Sequence, residues 1–168
     1  MKRILLDTNI YGRLIEDPLL FEKLTLLVPD KYVIYGTSLI RKELRDVSAH
    51  LTFDGKNKRI MLLQAYSSFV RKENHNLEIN DFVILLANKY FEEYKKQRGT
   101  FSINELLCDF TIVACASLHN LDIVVSDDKR TMLSEKAKRA YAEVNRVHQF
   151  RSPFFYVYDQ FKKEVGGA

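Results

Sequence analysis

The chain has 168 residues, 46% of them hydrophobic and 12% aromatic, which suits one domain with a sizeable apolar core and excludes a disordered chain. Its formal net charge is +4 and its pI about 9.0. The basic residues are spread out rather than massed in a tail, so the charge permits a polyanionic partner without requiring one. The two cysteines, Cys108 and Cys115, have no Cys or His neighbours at zinc-ligand spacing, and a disulfide along one helix is geometrically poor. Both read as buried thiols in a reducing compartment. The apolar run Ile4-Leu5-Leu6 stops at Asp7, too short for a signal-peptide core, and no run of about 18 apolar residues follows. A cytoplasmic protein with no membrane partner is expected.

In chain order, residues 3–6 read as a buried strand and Asp7-Thr8-Asn9 as the cap of a following helix. Residues 10–28 show helical spacing broken near Pro18. Residues 32–35 are β-rich and end at Gly36, with Thr37 or Ser38 capping a helix to about Val47. Longer helices are expected over roughly 56–73 and 80–98, the second closed by Gly99. Ser102-Ile103-Asn104-Glu105 is a capping box opening a helix to about His119, with Asn120 as its stop. Ile123-Val124-Val125 is a buried strand closed by Ser126-Asp127-Asp128. A helix near 130–144 and a strand near 154–158 complete the chain. Alternating strands and helices predict an α/β domain over residues 1–161, with a parallel sheet of four to five strands covered on both faces. Residues 162–168, polar and Gly-ending, read as a frayed tail.

Sites in open α/β sheets form at the carboxyl ends of the strands. Asp7 follows the first strand, and Asp127 and Asp128 follow the strand at 123–125. Glu43 lies one to two turns into the helix after the second strand, and Asp109 about two turns into the helix opened by Ser102. Four carboxylates can therefore converge at one rim. Two like charges about 4 Å apart repel by roughly 4 kcal/mol at an effective dielectric near 20, so such a cluster calls for a cation. Hard oxygen donors without Cys or His favour Mg²⁺ or Mn²⁺. These ions activate water and clamp a phosphodiester for in-line attack, with no nucleophilic side chain needed.

The order of the acids carries a resemblance. Leu5-Leu6-Asp7-Thr8-Asn9 resembles the opening motif of PIN-domain nucleases. Glu43, in Leu39-Ile40-Arg41-Lys42-Glu43-Leu44, looks like their second acid. Asp109, opening Asp109-Phe110-Thr111-Ile112-Val113-Ala114, looks like their third. Their last motif, Thr or Ser, then any residue, then Asp, reads here as Ser126-Asp127-Asp128 and favours Asp128. Counting onward from Asp109 without a gap favours Asp127. The resemblance spans about residues 1–132. It implies a metal-dependent ribonuclease with Thr8 and Asn9 orienting Asp7 and with Ser126 in support. In many members it also implies a toxin paired with an antitoxin, and homodimers are common. The long 80–98 helix, with its basic end Lys95-Lys96-Gln97-Arg98, is more than a compact toxin needs.

Plainer roles stand beside these. Asp7 can cap the first helix, Glu43 can be a solvated helix-face charge, and Asp127 and Asp128 can make a turn. Asp109, among Leu106, Leu107, Phe110 and Ile112, is costly unless paired. Glu105 serves as an extra ligand or, better, as the capping-box acid. Lys129 and Arg130 adjoin the site and suit the RNA backbone or a solvated helix start. An inactive PIN-like interaction module and a structure-specific DNA nuclease remain alternatives. A haloacid-dehalogenase-type phosphatase would want Asp where Asn9 stands, and there is no Walker-type loop.

Overall fold

Lys2–Leu6 forms the first strand, β1, with Ile4, Leu5 and Leu6 fully buried. The computed structural model describes residues 1–28, 30–71 and 73–167, and the side chain of every described residue but Glu73. Helix α1 (Thr8–Glu16) and helix α2 (Pro18–Leu27) follow. They are divided at Asp17-Pro18, where the Asp17 carboxylate accepts from the Leu20 N–H at 3.2 Å and the proline sits at the first helical position it tolerates. Strand β2 (Tyr32–Thr37) runs one residue past Gly36, and Thr37 then caps α3 (Ser38–Asp46).

The next stretch departs from the expected long helix. Thr52–Phe53 (β3) and Lys56–Asn57 (β4) form a small antiparallel hairpin, and helix α4 spans only Lys58–Phe69. The turn is Asp54-Gly55, with φ of 49° and 71°, a pair suited to a tight hairpin. Strand β5 (Asn76–Leu77) is too short to leave a sequence pattern. Helix α5 covers Asp81–Lys96. Its left-handed closing residue is Arg98 (φ 59°) rather than the expected Gly99. Gly99 is needed for space, because a Cβ there would lie 2.0 Å from the Tyr94 ring. Helix α6 (Ile103–Leu118) opens on the expected box, with the Glu105 carboxylate accepting from the Ser102 N–H at 2.9 Å. It stops at Asn120 (φ 52°).

Strand β6 (Ile123–Val125), helix α7 (Glu135–His148), strand β7 (Phe154–Tyr156) and helix α8 (Tyr158–Gly166) finish the chain. Helix α7 begins later than expected because residues 127–134 are held in a turn around the Asp128 carboxylate. The segment read as a frayed tail is in fact the second half of α8 through Gly166. Tyr158, Phe161 and Val165 recur at helical spacing and are buried.

The five main strands form a sheet in the order β5-β2-β1-β6-β7, parallel at every pairing. The strand runs are near-continuously apolar because helices cover the sheet. Helices α5, α6 and α7 pack together, and α1 packs with α2, α3 and α4, with α8 against α2. The chain grows outward from β1 to one edge and then returns to its other side. The crevice at the carboxyl ends of β1 and β6 is therefore the switch point of the sheet. Among the described residues no helix is long and apolar enough to cross a membrane.

Tyr66 locks the β2 end of this rim. Its hydroxyl lies 2.7 Å from Asn76 Oδ1 and 3.2 Å from the Thr37 carbonyl, directly over Gly36. A Cβ on residue 36 would stand 2.1 Å from that hydroxyl. Gly36→Ala is expected to destabilise the fold by about 1–3 kcal/mol, the usual cost of overpacking, measurable by urea denaturation.

Candidate functional site

Asp7 ends β1 and is only 5% exposed. Its backbone N–H continues the sheet by donating to the Val125 carbonyl at 2.9 Å, so the rim itself places it. Its carboxylate takes three donors: the Thr8 N–H at 2.7 Å, Asn9 Nδ2 at 2.6 Å and Ser126 Oγ at 2.6 Å. Asp7 caps α1, the plainer of the two roles open to it from the sequence. Asn9 contacts Asp7 through its side chain and Thr8 does so through its N–H, while the Thr8 hydroxyl donates to Glu43 Oε2.

Glu43 reaches the rim from α3. Its other oxygen, Oε1, accepts from the Cys108 thiol at 2.9 Å. Cys108 is thus half-buried at the site rather than simply a core thiol, while Cys115 is buried. Burial and the neighbouring Glu43 push the Cys108 thiol well above its ordinary pKa, so it stays protonated and donates. Asp109, one residue on in α6, points at Thr131, whose hydroxyl contacts Asp109 Oδ2 and lies 2.7 Å from Asp128 Oδ2. Asp128 Oδ1 accepts from the N–H groups of Arg130 and Thr131, both at 2.9 Å. The Asp128 N–H in turn donates to Ser126 Oγ at 3.0 Å.

These contacts close a ring. Ser126 joins Asp7 to Asp128, Thr131 joins Asp128 to Asp109, Cys108 beside Asp109 reaches Glu43, and Thr8 ties Glu43 back to Asp7. Thr131 carried no signal in the sequence: its place depends on a turn whose shape only the folded chain reveals.

The fifth acid goes elsewhere. Asp127 Oδ1 accepts from the Tyr158 N–H at 2.9 Å, capping α8, and Oδ2 lies 3.6 Å from Arg13 Nε. Its own N–H donates to Asn9 Oδ1 at 3.0 Å. The loop therefore turns Asp128 into the cluster and Asp127 away toward α1 and α8. Asp127→Ala is expected to cost roughly 1 kcal/mol of stability, the scale of a lost helix cap, in a chemical denaturation curve. Glu105 also stays outside, in its capping box. Lys129 and Arg130 are exposed beside the loop. The Arg130 guanidinium lies 5.0 Å from the centre of the Phe101 ring and 4.0 Å from Glu105.

The electrostatics of the ring bear on what it can hold. Asp7 is pushed up to about 6, first by burial and further by the Glu43 and Asp128 charges. Asp109 is pushed up to about 7, again first by burial, then by Asp7, Asp128 and Glu43. One hydroxyl hydrogen on Thr131 cannot serve two ionised carboxylates at once. A proton resident on Asp109, consistent with its raised pKa, lets both contacts stand. The cluster is an oxygen-rich set of acids that repel one another, which suits a hard divalent cation in charge and donor type. Among the described residues no group of three or more Asp, Glu, His or Cys side chains stands at metal-holding spacing. The carboxylates are instead turned onto the hydroxyl, thiol and amide donors of the ring, so the acids would have to draw closer together to hold an ion.

No protein-family model matches the chain, and no curated protein sequence does. Solved structures share its fold. A chain in FitAcB from Neisseria gonorrhoeae is 19% identical, with a TM-score of 0.55 over 91% of this chain and 96% of that one. One in VapBC2 from Rickettsia felis, bound to a DNA fragment from their promoter, is 13% identical, with a TM-score of 0.57 over 93% and 98%. One in VapBC-1 from nontypeable Haemophilus influenzae is 16% identical, at 0.57 over 92% and 97%. The chain has the PIN-like α/β fold. At such identities the likeness establishes architecture, and activity has to be argued from the site's own chemistry.

Proposed function

We propose that the chain is a metal-dependent endoribonuclease, hydrolysing RNA phosphodiester bonds at the carboxyl rim of its sheet. The observation that carries this is the ring of Asp7, Glu43, Asp109 and Asp128, four acids from four separate elements, with two of their pKa values raised. These four would hold Mg²⁺ or Mn²⁺. When bound, such an ion lowers the pKa of water and neutralises charge building on the phosphate.

The chain's own part is positioning. Ser126, Asn9 and the Thr8 N–H fix Asp7. Cys108 and the Thr8 hydroxyl fix the two oxygens of Glu43. Lys129 and Arg130, exposed next to Asp128, would meet the RNA backbone by charge. The fold likeness to chains of FitAcB and VapBC complexes supports an antitoxin-like protein partner; a homodimer belongs to the same proposal. A cytoplasmic location fits the free thiols.

The test is cleavage of single-stranded RNA and of flapped DNA with Mn²⁺, Mg²⁺ or EDTA. RNA cleavage is expected with either ion, abolished by EDTA and by Asp7→Asn. Preference for the flapped DNA would indicate a structure-specific DNA nuclease. Full activity in EDTA would end the metal proposal, and no cleavage of either substrate would favour an inactive interaction module.

A further inference from the structure

Thr131 lies outside the four motifs, yet its side chain stands between two of the acids they contain. Its hydroxyl contacts Asp109 on α6 and Asp128 on the loop after β6, residues 19 positions apart in the chain. Its N–H separately donates to Asp128 Oδ1 at 2.9 Å. The side chain is half-buried.

We propose that Thr131 is a positioning residue for the cation: in the metal-free protein its hydroxyl bridges the carboxyl groups of Asp109 and Asp128 and keeps them side by side, so that both can turn an oxygen to the same divalent ion. The role rests on the metal-dependent reading of the site. Two carboxylates brought from different elements tend to swing apart in the absence of the ion. A shared donor keeps the two side chains together and so lowers the ordering cost when the ion arrives. Groups of this kind, hydrogen-bonded to ligands without ligating, typically alter metal affinity 10- to 100-fold when removed. The plainer role, shaping the turn before α7, belongs to the Thr131 N–H, which any residue but proline supplies. Hydroxyl and turn are therefore separable by substitution.

The test is a Mn²⁺ titration followed by electron paramagnetic resonance, with melting curves recorded on the same samples. Thr131→Val, which keeps the branched shape, is expected to weaken Mn²⁺ binding about 10- to 100-fold while still melting cooperatively. Thr131→Ser, which restores the hydroxyl, is expected to bind close to wild type. Should the valine protein not fold, Thr131→Ala carries the same expectation. Unchanged Mn²⁺ affinity in the folded hydroxyl-free variant would overturn the role of Thr131 and leave the metal site standing. Weak binding that serine does not rescue would also overturn it. Absence of Mn²⁺ binding by the wild type would overturn both.

Discussion

Asp109→Asn is expected to lower RNA cleavage by at least about 100-fold while raising the melting temperature of the metal-free protein. Removing a hydrogen-bonding neighbour of a metal ligand already costs 10- to 100-fold, and a ligand carboxylate should cost no less. The two effects share one cause. Asp109 is half-buried among apolar residues of α6 and close to Asp7, Asp128 and Glu43, and burial together with those charges pushes its pKa to about 7. An amide of the same shape removes the repulsion, and its Nδ2 can donate to the Thr131 hydroxyl. Activity would be read on a labelled single-stranded RNA with Mn²⁺, and stability by thermal melting in EDTA. Full turnover by the folded variant would remove Asp109 from the site. A clear loss of stability would show that its charge is satisfied by the chain alone.

The second large effect is on stability against pH. Asp7 and Asp109 have folded-state pKa values of about 6 and about 7, against an ordinary 3.8. Between 3.8 and those values the folded state binds more protons than the unfolded chain, so stability falls as pH rises. The contribution of these two groups is complete below 3.8 and is lost as pH passes through about 6 and about 7. Metal-free protein should therefore melt at least about 4 °C lower at pH 8 than at pH 5, the shift that roughly 1–2 kcal/mol produces in a chain of this size. The step should shrink in Asp109→Asn, which isolates it from other titrations. Mn²⁺ binds the ionised cluster, so its stabilisation should be larger at pH 8 than at pH 5; at 100 times Kd it amounts to about 2.7 kcal/mol. Equal Mn²⁺ stabilisation at both pH values would mean that the ion binds somewhere other than these acids.

Much of the architecture was legible because buried strands advertise themselves. Ile4-Leu5-Leu6 and Ile123-Val124-Val125 are apolar on both faces, and both lie in the middle of the parallel sheet. The capping box at Ser102 and the stop at Asn120 bounded α6 by local chemistry alone. What was missed depended on contacts from afar. Strand β5 is two residues long and exists only because Gly36 and Thr37 offer it an edge. The second strand of the 52–57 hairpin lies at the start of the helix expected over 56–73, although Asp54-Gly55 is a turn signal. Helix α8 has no counterpart in the sequence reading, which takes residue 158 into the last strand and residues from 162 into a polar tail and so separates Tyr158 and Phe161 from Val165 on the buried face.

The acids show the same division. Each could be placed at the rim from the strand or helix it follows, since a residue just beyond a parallel strand has little freedom of position. Direction was another matter. Asp127 and Asp128 are adjacent, and spacing favoured one or the other according to the anchor. In the fold, the Tyr158 N–H and Arg13 claim Asp127, whereas Thr131 claims Asp128. Those partners come from α8, α1 and the turn before α7, which no local pattern around Ser126 could indicate. Cys108 escaped notice for a similar reason: seven residues from Cys115, it looked like a second core thiol, but the facing α3 brings Glu43 to it.

Anomalous diffraction from crystals soaked in Mn²⁺ tests the central claim most directly, since it reports ion and ligands together. The expected result is manganese at the rim, bound by an oxygen of Asp109 and by at least one of Asp7, Glu43 and Asp128, with Asp127 still capping α8. Manganese bound elsewhere, or absent while the four acids keep their contacts to Ser126, Thr8, Cys108 and Thr131, would contradict it.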